Sequence, residues 1–154
     1  MILMAVMKCP GTVPAKKESS RGKEFGKAPR QSGRMATVLV VDDEPNIIKS
    51  IQRLLGPLGI AFESAGNGLE ALELYRKSPA DIVITDLNMP VMDGFDLLKQ
   101  IKKEAPDSVV IIHSGGVNSM MKELLISEGA DRVIEKGDSH QEIRNALSGL
   151  IQES

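Results

Sequence analysis

Three stretches of this chain, residues 37–41 (Thr-Val-Leu-Val-Val), 81–85 (Asp-Ile-Val-Ile-Thr) and 109–112 (Val-Val-Ile-Ile), are continuous apolar runs rich in β-branched side chains. A strand with one wet face alternates apolar and polar residues. A run without alternation belongs to a strand buried on both faces, as in a parallel sheet covered by helices on each side. Residues 60–64 and 132–134 are weaker members of the same series. Helical periodicity fills the intervals. One stripe is Ile47, Ile48, Ile51, Leu54, Leu55 and Leu58, ended by Gly56-Pro57 and Gly59. Leu69, Leu72 and Tyr75 make a second, and Phe95, Leu98 and Ile101 a third. Val117, Met120, Met121, Leu124 and Leu125 make a fourth, read as core and stopped at Gly129. Ile143, Ala146, Leu147, Leu150 and Ile151 make the last, opened by Ser139 with Glu142 three residues on, a capping box. Strand and helix alternating five times predict an α/β fold, a (βα)5 layered domain.

The 154 residues suit one domain of ordinary size. No apolar run approaches the ~18–20 residues that span a bilayer, so no membrane span is expected. The lone Cys9 cannot build an internal disulfide framework, and a reducing compartment, the cytoplasm, is expected. The net charge of -2 averages two unlike parts. Residues 1–34 hold eight Lys or Arg against Glu18 and Glu24, a net +6, whereas residues 35–154 hold 11 basic and 19 acidic side chains, a net -8. The first part has little apolar content after Val13 and carries Pro10, Pro14 and Pro29, so it is expected to be a disordered basic extension. Two origins stay open for it: an upstream start codon with Met35 the natural beginning, or a cationic tail that touches nucleic acid or acidic lipid. The ordered domain is expected over 35–154.

Chemistry gathers where the strands end. The first run is followed by Asp42-Asp43-Glu44, the third by Asp86, the fourth by Ser114 and the fifth by Lys136. In an open parallel sheet, sites form outside the carboxyl ends of the strands, so residues from 42 to 136 converge on one crevice. Carboxylates brought to ~4 Å at an effective dielectric of ~20 repel by about 4 kcal/mol per pair. They need shifted pKa values or a cation, and a few carboxylates with open positions suit Mg2+. Lys136 and the Ser114 hydroxyl supply a point charge and a donor. The set is equipped for in-line phosphoryl transfer onto a carboxylate. Taken singly, Asp42 or Asp43 could equally be a helix cap. A calcium loop over 86–94 is disfavoured because Val91 occupies the position where such a loop needs Gly. His113 reads as a strand-end residue facing helix or solvent, His140 as an exposed first-turn residue, and Gly115-Gly116 as the tight turn into the fourth helix.

The residues 38–45 (Val-Leu-Val-Val-Asp-Asp-Glu-Pro), 86–94 (Asp-Leu-Asn-Met-Pro-Val-Met-Asp-Gly), Ser114 and Glu135-Lys136 resemble the receiver domain of two-component response regulators over about residues 36–152. The resemblance implies a flavodoxin-like three-layer sandwich with strand order 2-1-3-4-5. It implies Asp86 as phosphoacceptor, Asp43 as a direct Mg2+ ligand, and Asp42 as one acting mainly through water. Asn88 would offer its backbone carbonyl to the metal, with Ser114 and Lys136 as the switch hydroxyl and the salt-bridging lysine. The phosphoryl donor would be a sensor histidine kinase or a histidine phosphotransfer protein. Self-phosphorylation and slow autodephosphorylation would be its only reactions, so it is not expected to be an enzyme. With no DNA-binding effector attached, a stand-alone receiver is expected, acting on an unknown protein target through its helix 4–strand 5–helix 5 face, or in a relay.

Two positions depart from the family pattern: Gly137 where proline usually follows the lysine in a cis bond, and Val133 where strand five usually has Tyr or Phe. Rival readings are a degenerate receiver serving as a scaffold, an aspartate-based phosphatase and a flavin carrier. All acids and the lysine are retained, which disfavours the first. Asn88 stands where a phosphatase has its second acid, and Asp42-Asp43-Glu44 would repel a flavin phosphate.

Overall fold

The computed structural model describes residues 35–137 and 140–152, with the side chains of 150–152 not described. Residues 1–34, where the disordered extension was expected, lie outside the described residues, as does Ser139 of the expected capping box.

Five strands, β1 (Thr37–Val41), β2 (Ala61–Ala65), β3 (Ile82–Thr85), β4 (Val109–Ser114) and β5 (Arg132–Glu135), form one parallel sheet in the order β2-β1-β3-β4-β5. The helices are α1 (Pro45–Leu55), α2 (Gly68–Lys77), α3 (Gly94–Glu104), α4 (Ser119–Ser127) and α5 (His140–Gln152). The flavodoxin-like (βα)5 sandwich is the observed fold. A short 3-10 turn, Gly56–Leu58, extends α1 and ends at Gly59.

The continuous strand runs split by parity between two cores. Val38, Val40, Ile82, Ile84 and Ile111 meet Ile51 and Leu55 of α1 with Ile143, Ala146 and Leu147 of α5. Leu39, Val41, Val83, Val110 and Ile112 meet Ala71, Leu72 and Tyr75 of α2, Leu97, Leu98 and Ile101 of α3, and Leu125 of α4. β1, β3 and β4 thus have helices on both sides, which is why their runs are unbroken, whereas the edge strands carry exposed polar residues, Glu63 and Ser64 on β2 and Arg132 and Glu135 on β5.

The expectation that Met120, Met121 and Leu124 lie in the core is corrected. Met120 is 78% exposed, Met121 39% and Leu124 43%; Leu125 alone of α4 is fully buried. The helix covers β5 at the edge of the sheet, where a single row of its side chains suffices to reach the core. Leu69 of the second stripe is likewise exposed, whereas Leu72 and Tyr75 are buried.

Asn67, Asp93 and Asn118 cap α2, α3 and α4, their side-chain oxygens accepting from Glu70, Asp96 and Met121 N–H groups. The β3–α3 loop carries one non-glycine residue in the left-handed region, Val91 at φ +70°. A β-branched side chain there costs about 1–2 kcal/mol, and Val91 is 76% exposed, so little burial offsets it. Val91→Gly is therefore expected to raise stability by about 0.5–1 kcal/mol after the extra unfolded-state freedom of glycine is subtracted, read as a higher urea midpoint.

Candidate functional site

The carboxyl ends of the strands place the acids by backbone bonds before any side chain contributes. Asp42 N–H donates to Ala65 O at 3.1 Å and Asp86 N–H to Val41 O at 3.0 Å, so both residues continue the ladder one step past their strands. Lys136 N–H donates to Ser114 O at 3.1 Å, which ties the end of β5 to that of β4. These bonds bring Asp42, Asp43, Asp86, Ser114 and Lys136 to one edge of the sheet. One carboxylate oxygen from each of Asp42, Asp43 and Asp86 lies within 4.8 Å of the others.

Lys136 Nζ reaches Asp42 Oδ2 at 2.9 Å, Asp86 Oδ2 at 3.1 Å and Glu44 Oε1 at 3.1 Å. The other Asp42 oxygen, Oδ1, accepts from Glu44 N–H at 2.9 Å, and Asp86 Oδ1 accepts from Leu87 N–H at 2.7 Å and, at 3.4 Å, from Asn88 N–H. Asp42 and Asp86 are buried and Asp43 is exposed, so the cluster opens to solvent on the Asp43 side. Asn88 sits exposed on the loop after Asp86.

The helix-cap alternative for the acidic pair does not describe α1. Its cap position is Glu44, with no side-chain capping bond, and Pro45 opens the helix. Neither Asp42 nor Asp43 is spent on the helix N–H groups, which leaves their oxygens for one another, for Lys136 and for a cation.

Burial raises the Asp42 carboxyl above its ordinary value. The Glu44 N–H and Lys136 oppose that shift, and the charge on Asp86 adds to it. For Lys136 burial works downward, but the bonds to Asp42, Asp86 and Glu44 outweigh it and hold the ammonium well above the ordinary lysine range. One ammonium therefore faces four nearby carboxylates, which leaves the site with an excess of negative charge.

Ser114 is completely buried, and its hydroxyl has no hydrogen-bond partner among the described residues. A buried hydroxyl without a partner costs about 1–3 kcal/mol, a debt that an incoming oxygen acceptor would cancel. Gly116, at φ +71°, makes the turn that follows, and neither it nor Gly115 has side-chain bulk to close the approach. Residues that sequence reasoning left out of the site are Glu44, the third partner of Lys136, and Thr85, whose hydroxyl donates to Asp86 O at 2.9 Å. Glu44 was legible as the third acid of its run; Thr85 carried no signal.

His113, read from the sequence as facing helix or solvent, is buried on the α1/α5 side. Burial, with Lys136 and His140 nearby, pushes its imidazole down to about 4. The folded state therefore favours neutral His113: its stabilisation is complete above pH ~6.5 and is lost as pH falls toward 4. Between pH 7 and pH 4.5 this group is expected to remove about 2 kcal/mol. Urea unfolding of wild type and His113→Leu at both pH values checks it, the variant losing less. His140 is exposed, as expected. The Lys136–Gly137 bond is trans, since no described peptide bond is cis, and Val133 is half-buried against the α2–α4 core.

No helix among the described residues is long and apolar enough to cross a membrane. The family model for the response regulator receiver domain matches residues 38–148. Among solved structures, a response regulator receiver domain protein from Clostridium thermocellum is 33% identical, with a TM-score of 0.71 over 77% of this chain and 96% of that one. The probable transcriptional regulator ycf27 of Cyanidium caldarium is 32% identical over 80% of this chain and 49% of its own length. The autoinducer 1 sensor kinase/phosphatase LuxN of Vibrio campbellii is 30% identical over 90% of this chain but 16% of its own length. The chain thus spans about half or less of these curated relatives. With the family match running from the second residue of β1 through β5 and the strand-end acids lying inside it, the chain belongs to the response regulator receiver domain family.

Proposed function

We propose that this protein accepts a phosphoryl group on Asp86 and works as a phosphorylation-controlled switch. The observation that carries the reading is the convergence of Asp42, Asp43 and Asp86 on one another, with the Lys136 ammonium bonded to two of them at the ends of the strands. A phosphohistidine on a sensor histidine kinase or a phosphotransfer protein is the proposed donor. The Asp86 carboxylate attacks phosphorus in line, an oxygen–phosphorus bond forms as the nitrogen–phosphorus bond breaks, and the imidazole leaves with the electron pair.

The donor set fits Mg2+: hard oxygens only, more negative charge than one lysine balances, and an open side at Asp43. Asp42, Asp43, Asp86 and the Asn88 backbone carbonyl are the proposed holders. When bound, Mg2+ screens the repulsion between the carboxylates and the phosphoryl oxygens. The chain's own groups do the rest. Lys136 places a fixed positive charge beside the Asp86 oxygen, Leu87 N–H orients that carboxylate, and the Ser114 hydroxyl offers its unused hydrogen bond to a phosphoryl oxygen.

The acyl phosphate is then lost slowly to water, so the protein is a timed switch and not a turnover enzyme. Its site of action is the cytoplasm. Its output is a contact with a protein target through α4, β5 and α5, or onward transfer in a phosphorelay. Val133 lacks an aromatic ring to follow Ser114, so the change reaches α4 through aliphatic packing.

The test is incubation with acetyl phosphate. One acid-labile phosphoryl group per chain is expected in Mg2+, and none when EDTA removes the divalent ion. Equal labelling with and without the metal would overturn the reading.

A further inference from the structure

Two of the apolar side chains left exposed on α4, Met121 and Leu124, form a groove with the start of α3. Leu87, Asn88, Asp93, Phe95, Met121 and Leu124 line about 270 Å3 of it. Four of its six walls are apolar, and the one charged group is Asp93, whose carboxylate caps α3 and has no cationic partner among the described residues. Other exposed large apolar residues, Met35, Leu69 and Val91, lie on separate elements, as single surface residues ordinarily do. On α4, Met121 and Leu124 stand one turn apart and share one groove, whereas Ile126 lines a separate depression.

We propose that this groove is covered by residues 1–7 of the same chain. Their sequence, Met-Ile-Leu-Met-Ala-Val-Met, is wholly apolar and is followed at once by Lys8. The apolar side chains would lie against Met121, Leu124, Phe95 and Leu87, with Lys8 at the Asp93 carboxylate.

Three features select this occupant. The first is the match of an apolar segment ending in one cation to an apolar groove rimmed by one acid. The second is charge: residues 1–34 carry a net +6 and the domain a net -8, so the tail is drawn to the domain surface. The third is reach. From Lys8 to Met35 is a polar segment whose root-mean-square span as a coil is roughly 30 Å, about the width of a domain this size. Tethered segments of matching span act at effective concentrations on the order of millimolar, which favours the chain's own segment over a second copy at micromolar concentration. The proposal does not depend on phosphoryl chemistry at Asp86, and its test leaves that reading untouched.

The single cysteine, Cys9, allows a nitroxide to be attached beside the segment in the full-length chain carrying 13C-methyl methionine. Met121 and Met120 signals are assigned with Met121→Leu and Met120→Leu. The expected result in dilute solution is loss of most of the Met121 methyl intensity, recovered when the nitroxide is reduced. It should also be recovered in the triple variant Ile2→Ser, Leu3→Ser, Val6→Ser, which keeps the tether and its charge. Undiminished Met121 intensity in the wild-type sequence overturns the proposal. So does broadening that persists in the triple variant, which would mean a charge-driven encounter without docking. A mixture of spin-labelled chain with isotope-labelled Cys9→Ser chain distinguishes the remaining occupant: broadening there assigns the groove to a second copy and overturns the proposal.

Discussion

Asp86→Asn is expected to abolish labelling by acetyl phosphate in Mg2+ while leaving the fold intact. The amide keeps the shape of the carboxylate, and its oxygen can still accept the Leu87 N–H that Asp86 Oδ1 accepts at 2.7 Å. What it lacks is the nucleophilic charge: a neutral amide oxygen is too weak to attack phosphorus at a useful rate. The effect on stability has the opposite sign. One carboxylate oxygen from each of Asp42, Asp43 and Asp86 lies within 4.8 Å of the others, and among the described residues Lys136 is the one ammonium bonded to them. Removing one charge relieves repulsion with both Asp42 and Asp43, on the order of 4 kcal/mol per close pair, against the loss of one attraction to Lys136, whose ammonium keeps Asp42 and Glu44 as partners. The urea midpoint of Asp86→Asn is therefore expected at or above that of wild type. Divalent-ion affinity by calorimetry should fall, because one of three carboxylates has gone. Labelling that survives the substitution would move the acceptor elsewhere.

Gly94→Ala is expected to be the most damaging single-methyl change in the domain. A Cβ at this position would stand 1.9 Å from Asp86 O, 2.8 Å from Asp86 C and 2.9 Å from Leu87 Cα. All three are backbone atoms, so no side-chain rotation can make room. The Gly94 N–H also donates to Leu87 O at 2.9 Å, which holds the start of α3 against the loop that follows Asp86. Intrinsic helix preference favours alanine by up to about 1 kcal/mol. The clash exceeds that, because either α3 or the Asp86 loop must move, and a loss of about 3 kcal/mol or more is expected. Phosphoryl uptake should fall with it, since the displaced loop carries Asp86. Chemical denaturation reads the first effect and acetyl phosphate labelling the second. A variant with wild-type stability would show that the contact relaxes without cost.

The Gly94 contact illustrates how unevenly the site could be read in advance. The glycine belongs to the motif at 86–94 from which the family resemblance was drawn, yet nothing in its spacing says that it touches the Asp86 carbonyl. Asp42, Asp43, Asp86, Ser114 and Lys136 could be named because each follows a strand directly, and a parallel sheet sends all such residues to one edge. Glu44 was visible as part of the acidic run, but its bond to Lys136, 92 residues away, depends on the angle at which α1 leaves β1. Val91 was seen only as the residue that disfavours a calcium loop; its φ of +70°, in the region that favours glycine, was not legible in the sequence.

The sequence by itself determined the sheet and the convergence of the acids. Strands buried on both faces need unbroken β-branched runs, and that demand is local enough to be read residue by residue. Only the tertiary structure decided which side chains of α4 and β4 meet solvent. Helix α4 carries Met120, Met121, Leu124, Leu125 and Ile126 over a wider arc than the row that reaches the core, so its periodicity does not say which of them lies innermost, and its place over the edge strand left Leu125 inside and Met120, Met121 and Leu124 outside. His113, polar but buried under the α1/α5 layer, is the converse. Burial depends on what other parts of the chain bring to the same place, and a local pattern does not carry that information.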